Sequence, residues 1–277
     1  MSCKLKIISF NVNGIRSRIN QLSEVIKQHN PDIIGLQETK VSNEEFPFDD
    51  IQALGYKAHI HGQKGHYGVA FLSKIAALNI QCGFPHDNAD SQCRFIYGQF
   101  DLNGHIIHLI NGYFPQGEGR AHPTKFPAKK KFYSDLLDFL NREFTTDDAV
   151  VVMGDMNVAH TDADVGIKPE NAKRWLKTGK SAFLPEEREW LQKLLDWGLT
   201  DTYRAANPNN QTYSWFDYRS RGFDQEPKRG LRIDLLLASP AAMALCTDTG
   251  IDLQARGHEK PSDHCPIWID LAPKSIA

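Results

Sequence analysis

The chain has 277 residues and a mass of 31.3 kDa, with 41% hydrophobic and 24% charged residues, which allows a large core and excludes global disorder. Thirty-two Lys and Arg against 34 Asp and Glu give a formal net charge of −2, which excludes an overall polybasic chain but leaves room for a basic face over an acidic site. The five cysteines, Cys3, Cys82, Cys93, Cys246 and Cys265, are odd in number and form no CxxC pair, so neither a disulfide framework nor a structural zinc site is expected. Met1 to Phe10 hold too short an apolar run for a signal-peptide core, and no run approaches the ~18 residues of a membrane span. The expectation is a soluble cytoplasmic protein with free thiols and no membrane partner. No Pro/Gly/Ser-rich linker divides the sequence, so one domain over residues 1–277 is expected.

In chain order, Lys4–Phe10 reads as a strand. Ser17–Gln28 reads as a helix with Leu22, Val25 and Ile26 on one face, stopped by Pro31. Ile33–Gln37, Tyr56–Ile60, Tyr67–Ser73, Arg94–Leu102 and His105–Tyr113 read as strands, the last two flanking the hairpin signal Asn103-Gly104. Pro127 is expected to open a helix whose Phe132, Leu136, Leu137, Leu140 and Phe144 recur at helical spacing. Ala149–Met153 reads as a buried strand and Pro185–Trp197 as a second clear helix, with Gly198 as its stop. Arg232–Ala238 and Pro266–Leu271 read as strands. Strands dominate, some joined by hairpins and some through helices. This mixture fits two packed sheets with helices outside better than a doubly wound parallel sheet. Two similar halves are faintly visible, each opening with a strand that ends in an acidic or amide residue.

The polar residues fall at the ends of these strands. Asn11 and Asn13 follow the first, Glu38 the next, and Tyr113 ends the hairpin. Asp155 and Asn157 follow the apolar run Val150–Met153, Asp234 sits within an apolar strand, and Asp263-His264 precede the last strand. Strand ends gather at one edge of a sheet or sandwich, where Glu38, Asp155, Asp234, Asp263 and His264 would concentrate negative charge. Such a cluster calls for a hard divalent cation, magnesium or manganese, and for phosphoryl-transfer chemistry. A carboxylate would orient or deprotonate water, and asparagine and tyrosine would bond the non-bridging oxygens. Taken singly, each residue has a plainer reading: Glu38 a turn, Asp155 a helix cap or Asx-turn, Asp234 a partner for a buried arginine or histidine, Asp263-His264 a loop cap. Their coincidence favours a site.

Long stretches resemble the exonuclease III-type apurinic/apyrimidinic endonuclease family: SFNVNGIRSR (9–18), GLQETK (35–40), HGQKGHYGVA (61–70), NGYFPQGE (111–118), KFPAK (125–129), MGDMN (153–157), FLPEEREW (183–190), SWFDYRS (214–220), GLRIDLLLAS (230–239) and EKPSDHCPIW (259–268). The resemblance implies a four-layer α/β sandwich, as in DNase I-like nucleases. It implies a magnesium-dependent phosphodiesterase, with manganese able to substitute, acting as a monomer on double-stranded DNA at abasic sites, nicks and 3′ ends. Its reactions would be incision 5′ of abasic sites, 3′-to-5′ exonuclease action and removal of 3′ blocking groups including phosphate. By the same resemblance Glu38 is the principal metal ligand, with Asn11, Asp155, Asn157, Asp263 and His264 around the metal. Asn13 stands where some relatives have an aspartate. Asp155 activates water or protonates the leaving oxygen, Tyr113 and Asn157 bind phosphate, and Asp234 pairs with the imidazole of His264. Asn13, Arg94, Gln116, Lys125 and Arg174 would contact DNA, and Trp215, Phe216, Leu231 and Ile233 would surround the extruded abasic sugar.

Three segments carry a local basic excess: Arg120, Lys125 and Lys129–Lys131; Lys168, Lys173, Arg174, Lys177 and Lys180; and Arg219, Arg221, Lys228, Arg229 and Arg232. Each is either a solvated face or a phosphate contact. Trp215 and Phe216 read equally as core aromatics. A phosphatase or sphingomyelinase of the same sandwich would share the metal chemistry, but the match over residues 111–129 and 214–239 argues for DNA. A DNA-end-binding descendant with a dead site is disfavoured because every expected catalytic position holds a competent residue.

Overall fold

The computed structural model describes residues 4–273; Cys3 lies outside them. Two six-stranded sheets form. The first runs, in spatial order, β11 (Cys246–Ile251), β12 (Ile267–Leu271), β1 (Leu5–Asn11), β2 (Ile33–Gln37), β4 (Val69–Ser73) and β3 (Lys57–His61). The second runs β5 (Ala77–Cys82), β6 (Phe95–Leu102), β7 (His105–Tyr113), β8 (Ala149–Asp155), β10 (Asp234–Ala238) and β9 (Thr200–Asp201). The helices are α1 (Ile19–His29), α2 (Phe48–Ala53), α3 (Lys125–Glu143), α4 (Pro169–Thr178), α5 (Pro185–Asp196), α6 (Thr202–Ala206) and α7 (Pro240–Leu245).

Strand side chains alternate between two buried faces, which is why the central strands read as nearly continuous apolar runs. Val151 and Met153 of β8 meet Ile7, Ile33 and Phe71 of the first sheet in the layer between the sheets. Val150 and Val152 face outward onto Phe132, Leu136 and Leu140 of α3 and Leu191 and Leu194 of α5. On the other side, Ile8 and Ile34 meet Leu22, Val25 and Ile26 of α1. The order helix, sheet, sheet, helix is the expected four-layer sandwich. Each such buried side chain contributes about 1.5–3 kcal/mol, so the three layers lock the strands against sliding.

The two sheets repeat one pattern. Each holds a single parallel pair, β1/β2 and β7/β8, flanked on both sides by antiparallel strands. Helices α1 and α3 lie in the two crossovers that parallel pairing requires. This is the physical content of the two faint halves in the sequence.

Differences from the expected elements have local causes. The third helix begins at Lys125, before Pro127, because a proline is tolerated anywhere in a first turn. The strands β5 and β11 escaped notice because both are sheet edges with polar, partly exposed residues. The second basic segment, Lys168–Lys180, for which no element was expected, contains α4, which carries no buried residue and stands on the surface with Pro169 at its start. Among the described residues, Cys82, Cys93, Cys246 and Cys265 are free, and no helix is long and apolar enough to cross a membrane.

Candidate active site

Parallel pairing brings the C-terminal ends of paired strands to one edge. Asn11 pairs with Gln37 across β1/β2, so Glu38 follows immediately, in a left-handed turn with φ 52°. Tyr113 pairs with Asp155 across β7/β8. The antiparallel β10 starts at the same edge, with Asp234 opposite Asp155. The loop before β12, antiparallel to β1, delivers Asp263 and His264 there too. At Gly154 (φ +142°) an added Cβ would lie 1.9 Å from the Gly112 carbonyl oxygen, so only glycine permits this approach of β7 and β8 beside Tyr113 and Asp155.

A dense hydrogen-bond network organises these groups. The Asn13 amide donates to Asn11 Oδ1 (3.0 Å), which turns the Asn11 Nδ2 toward Glu38 Oε1 (3.1 Å) and Asp155 Oδ2 (3.0 Å). Asp155 also accepts from the backbone N–H (2.9 Å) and side-chain Nδ2 (3.1 Å) of Asn157. His264 Nδ1 lies 2.9 Å from Asp234 Oδ2, and its Nε2 stands 3.7 Å from Asp155 Oδ2. Ser214 Oγ donates to Asp234 (2.6 Å) and accepts from the Ile233 and Asp234 amides, which fixes that carboxylate.

The electrostatics follow from burial and crowding. Burial raises the pKa of Asp155 to about 7; Asp234 and Glu38 push the same way, against the opposing pull of His264. Burial works against a charged His264, but Asp234 and Asp155 outweigh it and hold the ring at about 10, so it is an imidazolium. Glu38 is pulled below the usual carboxylate range: burial opposes its charge, but Lys40, 2.8 Å away, prevails. Burial, Glu38 and Asp155 all press the Tyr113 hydroxyl well above its ordinary value, so it stays a proton donor.

Glu38, Asp155 and His264 offer ligand atoms within 4.8 Å of one another. The two carboxylates suit a hard divalent cation, and the carboxyl that burial pushes up to about 7 is one that added positive charge would ionise. The residues therefore fit a divalent metal. His264, tied through Nδ1 to Asp234, turns its Nε2 toward the cluster.

Other residues named from the sequence take different places. Asp263 accepts from Asn13 Nδ2 (2.8 Å) and Trp215 Nε1 (2.9 Å), ties the two loops together at the cleft, and lies outside the group of Glu38, Asp155 and His264. Asn11 and Asn157 point amide N–H groups at the carboxylates and orient them. Arg94 is buried, its guanidinium stacked against Tyr67 and Tyr113 and donating to the Tyr113 carbonyl (3.1 Å); it braces Tyr113. Phe216 is fully buried against Phe223, outside the cleft, as a core aromatic. Lys125 is exposed at the start of α3 and pairs with Glu118.

A cleft of about 570 Å³ opens over the cluster. Glu38, Tyr113, Asp155, Asn157 and His264 line it, together with the apolar Trp215, Leu231 and Ile233 and the polar or basic Gln116, Lys168, Arg174 and Lys180. Arg219 and Arg229 complete the basic lining. The basic runs are thus only partly at the cleft. In the first, Arg120 and Lys131 pair with Glu186 and Asp135, and Lys129 is buried with Glu187. In the third, Arg232 is buried between Asp164 and Asp201. Sequence reasoning passed over Lys40 and Ser214. Both lie inside motifs already singled out, GLQETK and SWFDYRS, next to the residues they orient.

A profile of the endonuclease/exonuclease/phosphatase family matches residues 8–264. Exodeoxyribonuclease III of Haemophilus influenzae is 53% identical over 268 residues, covering 96% of this chain and 100% of that protein. Among solved structures, a 3′ phosphatase from Neisseria bound to a product DNA hairpin superposes with a TM-score of 0.87 at 36% identity, covering 96% of this chain and 99% of that one. An AP endonuclease from Archaeoglobus fulgidus superposes with a TM-score of 0.86 at 34% identity, covering 96% of this chain and 98% of that one.

Proposed function

Because this chain belongs to the endonuclease/exonuclease/phosphatase family, and within it to the branch of exodeoxyribonuclease III, we propose that it is a divalent-metal-dependent DNA-repair nuclease. It hydrolyses DNA phosphodiesters as a 3′-to-5′ exonuclease on duplex DNA, incises 5′ of abasic sites and removes 3′-terminal phosphate groups. The observation that carries this reading is the Glu38, Asp155 and His264 cluster in a cleft with a basic lining.

The mechanism follows from the placement of the groups. Magnesium, the metal this reading favours, would be held chiefly by Glu38, with Asp155 beside it, and would supply Lewis-acid polarisation of the scissile phosphate. His264, kept cationic by Asp234, faces the phosphoryl oxygens and offsets charge that builds on them. The Tyr113 hydroxyl, kept protonated, donates to the same oxygens, while Asn157, its Nδ2 given to Asp155 and to the Phe114 carbonyl, orients Asp155. Asp155, which added positive charge would keep as a carboxylate beside His264, accepts the proton of the attacking water. Trp215, Leu231 and Ile233 make an apolar niche for a sugar that lacks a base and leaves the stack at little cost. The proposed chemistry draws on this chain alone and needs no second subunit, which supports a monomer acting where bacterial DNA lies, in the cytoplasm.

Two duplexes test this reading, one intact and blunt-ended, one with an internal abasic analogue, each incubated with magnesium and with chelator. Magnesium-dependent cutting at the analogue and a ladder shrinking from 3′ ends are expected on a denaturing gel. Cleavage of a small phosphodiester but of neither duplex would overturn the DNA assignment.

A further inference from the structure

The first basic run contains a lysine that this mechanism leaves unused. Lys129 of α3 is fully buried and paired with the equally buried Glu187 of α5, Nζ to Oε1 2.6 Å. Its remaining protons go to the Asn157 carbonyl oxygen (2.8 Å) and Ser181 Oγ (2.9 Å), with the Gln116 carbonyl at 3.4 Å. The Ser181 hydroxyl itself lies 2.5 Å from that Gln116 oxygen. The other Glu187 oxygen accepts the backbone amides of Ala182 (2.9 Å) and Leu184 (2.8 Å).

A buried ion pair loses several kcal/mol of solvation per ion, and an apolar pair of similar volume often folds as well or better. What an apolar pair cannot do is grip backbone. This pair grips three segments at once, and Gln116, Asn157, Ser181 and Ala182 all line the cleft. Asn157 is held in a left-handed conformation (φ 53°), which a non-glycine residue keeps only when its surroundings impose it. Ser181 and Ala182 follow α4, the helix with no buried residue, so its C-terminal root is fastened here.

We propose that the Lys129–Glu187 pair is a positioning device for the nuclease site, touching neither DNA nor the reacting atoms. It holds the Asn157 loop for the chemical step, and through Ser181 it holds Gln116 and the root of α4 for DNA grip. The inference rests on reading the cleft as a DNA phosphodiesterase site.

The test uses the full chain and a duplex carrying a tetrahydrofuran abasic analogue. Lys129→Met with Glu187→Leu removes the pair without stranding a charge. Ser181→Ala removes the hydroxyl that links Gln116 to Lys129 and Glu187 while leaving the ion pair and its bond to the Asn157 carbonyl in place. Thermal melts establish that each variant is folded at the assay temperature. The single-turnover rate with saturating enzyme and magnesium reads chemistry; the Kd for uncut duplex in chelator reads grip. The double variant is expected to lose at least about tenfold in rate while folded, the cost of a displaced catalytic loop. Ser181→Ala is expected to weaken Kd by roughly threefold or more, with its rate within about twofold of wild type. A folded double variant with the wild-type rate overturns the proposal. If the double variant does not fold, an unchanged Kd in Ser181→Ala overturns it. A wild-type chain that cuts no duplex refutes the functional reading instead.

Discussion

Asp234 and Asp155 face each other across the β8/β10 ladder, and His264 is lodged against both, its Nδ1 2.9 Å from Asp234 and its Nε2 3.7 Å from Asp155. One imidazolium therefore serves two carboxylates. Burial opposes its charge, and Asp234 is the strongest influence restoring it. Asp234→Asn should lower the His264 pKa from about 10, so the ring loses its proton at lower pH. The alkaline limb of the kcat–pH profile is expected to move to lower pH, and kcat at neutrality to fall by about 10²-fold. The ring's folded pKa lies above the unfolded value near 6.5, so its pairing stabilises fully below that pH and is lost as pH rises through about 10. The melting-temperature gap between wild type and variant should narrow over that window. pH–rate and thermal-melt series check both expectations.

Arg174 and Lys180 belong to the basic lining of the cleft, with Lys180 Nζ 3.6 Å over the Trp175 ring. If each neutralises one DNA phosphate, replacing both with alanine should reduce the slope of log Kd against log salt by about 2. Fluorescence anisotropy at a series of salt concentrations, in chelator, measures that slope. Replacement of Lys131, which pairs with Asp135 and lies outside the cleft lining, should leave the slope unchanged.

Asp164 is fully buried and accepts from Arg232 Nε (2.7 Å) and Arg204 Nη2 (2.6 Å). Burial opposes its charge, but Arg232 and Arg204 hold its pKa down at about 2, against an ordinary value of 3.8. This depressed value means stability that is present above pH ~4 and lost as pH falls toward ~2, about 2 kcal/mol in all. Asp164→Asn should destabilise the protein by about 3 kcal/mol or more at pH 7, because Arg232 keeps only Asp201 as a partner. The difference from wild type should shrink below pH 4. Urea unfolding at pH 7 and pH 3.5 compares the two.

The architecture was readable where both faces of a strand are buried, as in Val150–Met153, because such runs leave no alternative to a central strand. The site was readable because parallel pairing carries strand ends to one edge, so Asn11, Glu38, Tyr113 and Asp155 had to meet. The partners of charges were not readable. Lys129 and Arg232 look like surface cations in sequence and are buried ions, because Glu187 and Asp164 reach them from distant segments. The bonds that Trp215 and Asn13 bring to Asp263 from other loops were equally hidden. Helix α4 was hidden by its lack of a buried face. The family resemblance supplied the roles that spacing alone could not.

The central claim is that Asp155 takes a proton during DNA hydrolysis at the Glu38, Asp155 and His264 cluster. The most direct measurement is the single-turnover rate of incision at an abasic analogue, with magnesium, for wild type and Asp155→Asn. The substitution keeps the shape and the bond from the Asn157 backbone while removing the acceptor. The account predicts a fall of about 10³-fold, with the Kd for uncut duplex in chelator within a few fold of wild type. A folded Asp155→Asn variant that cuts within about tenfold of the wild-type rate would contradict it.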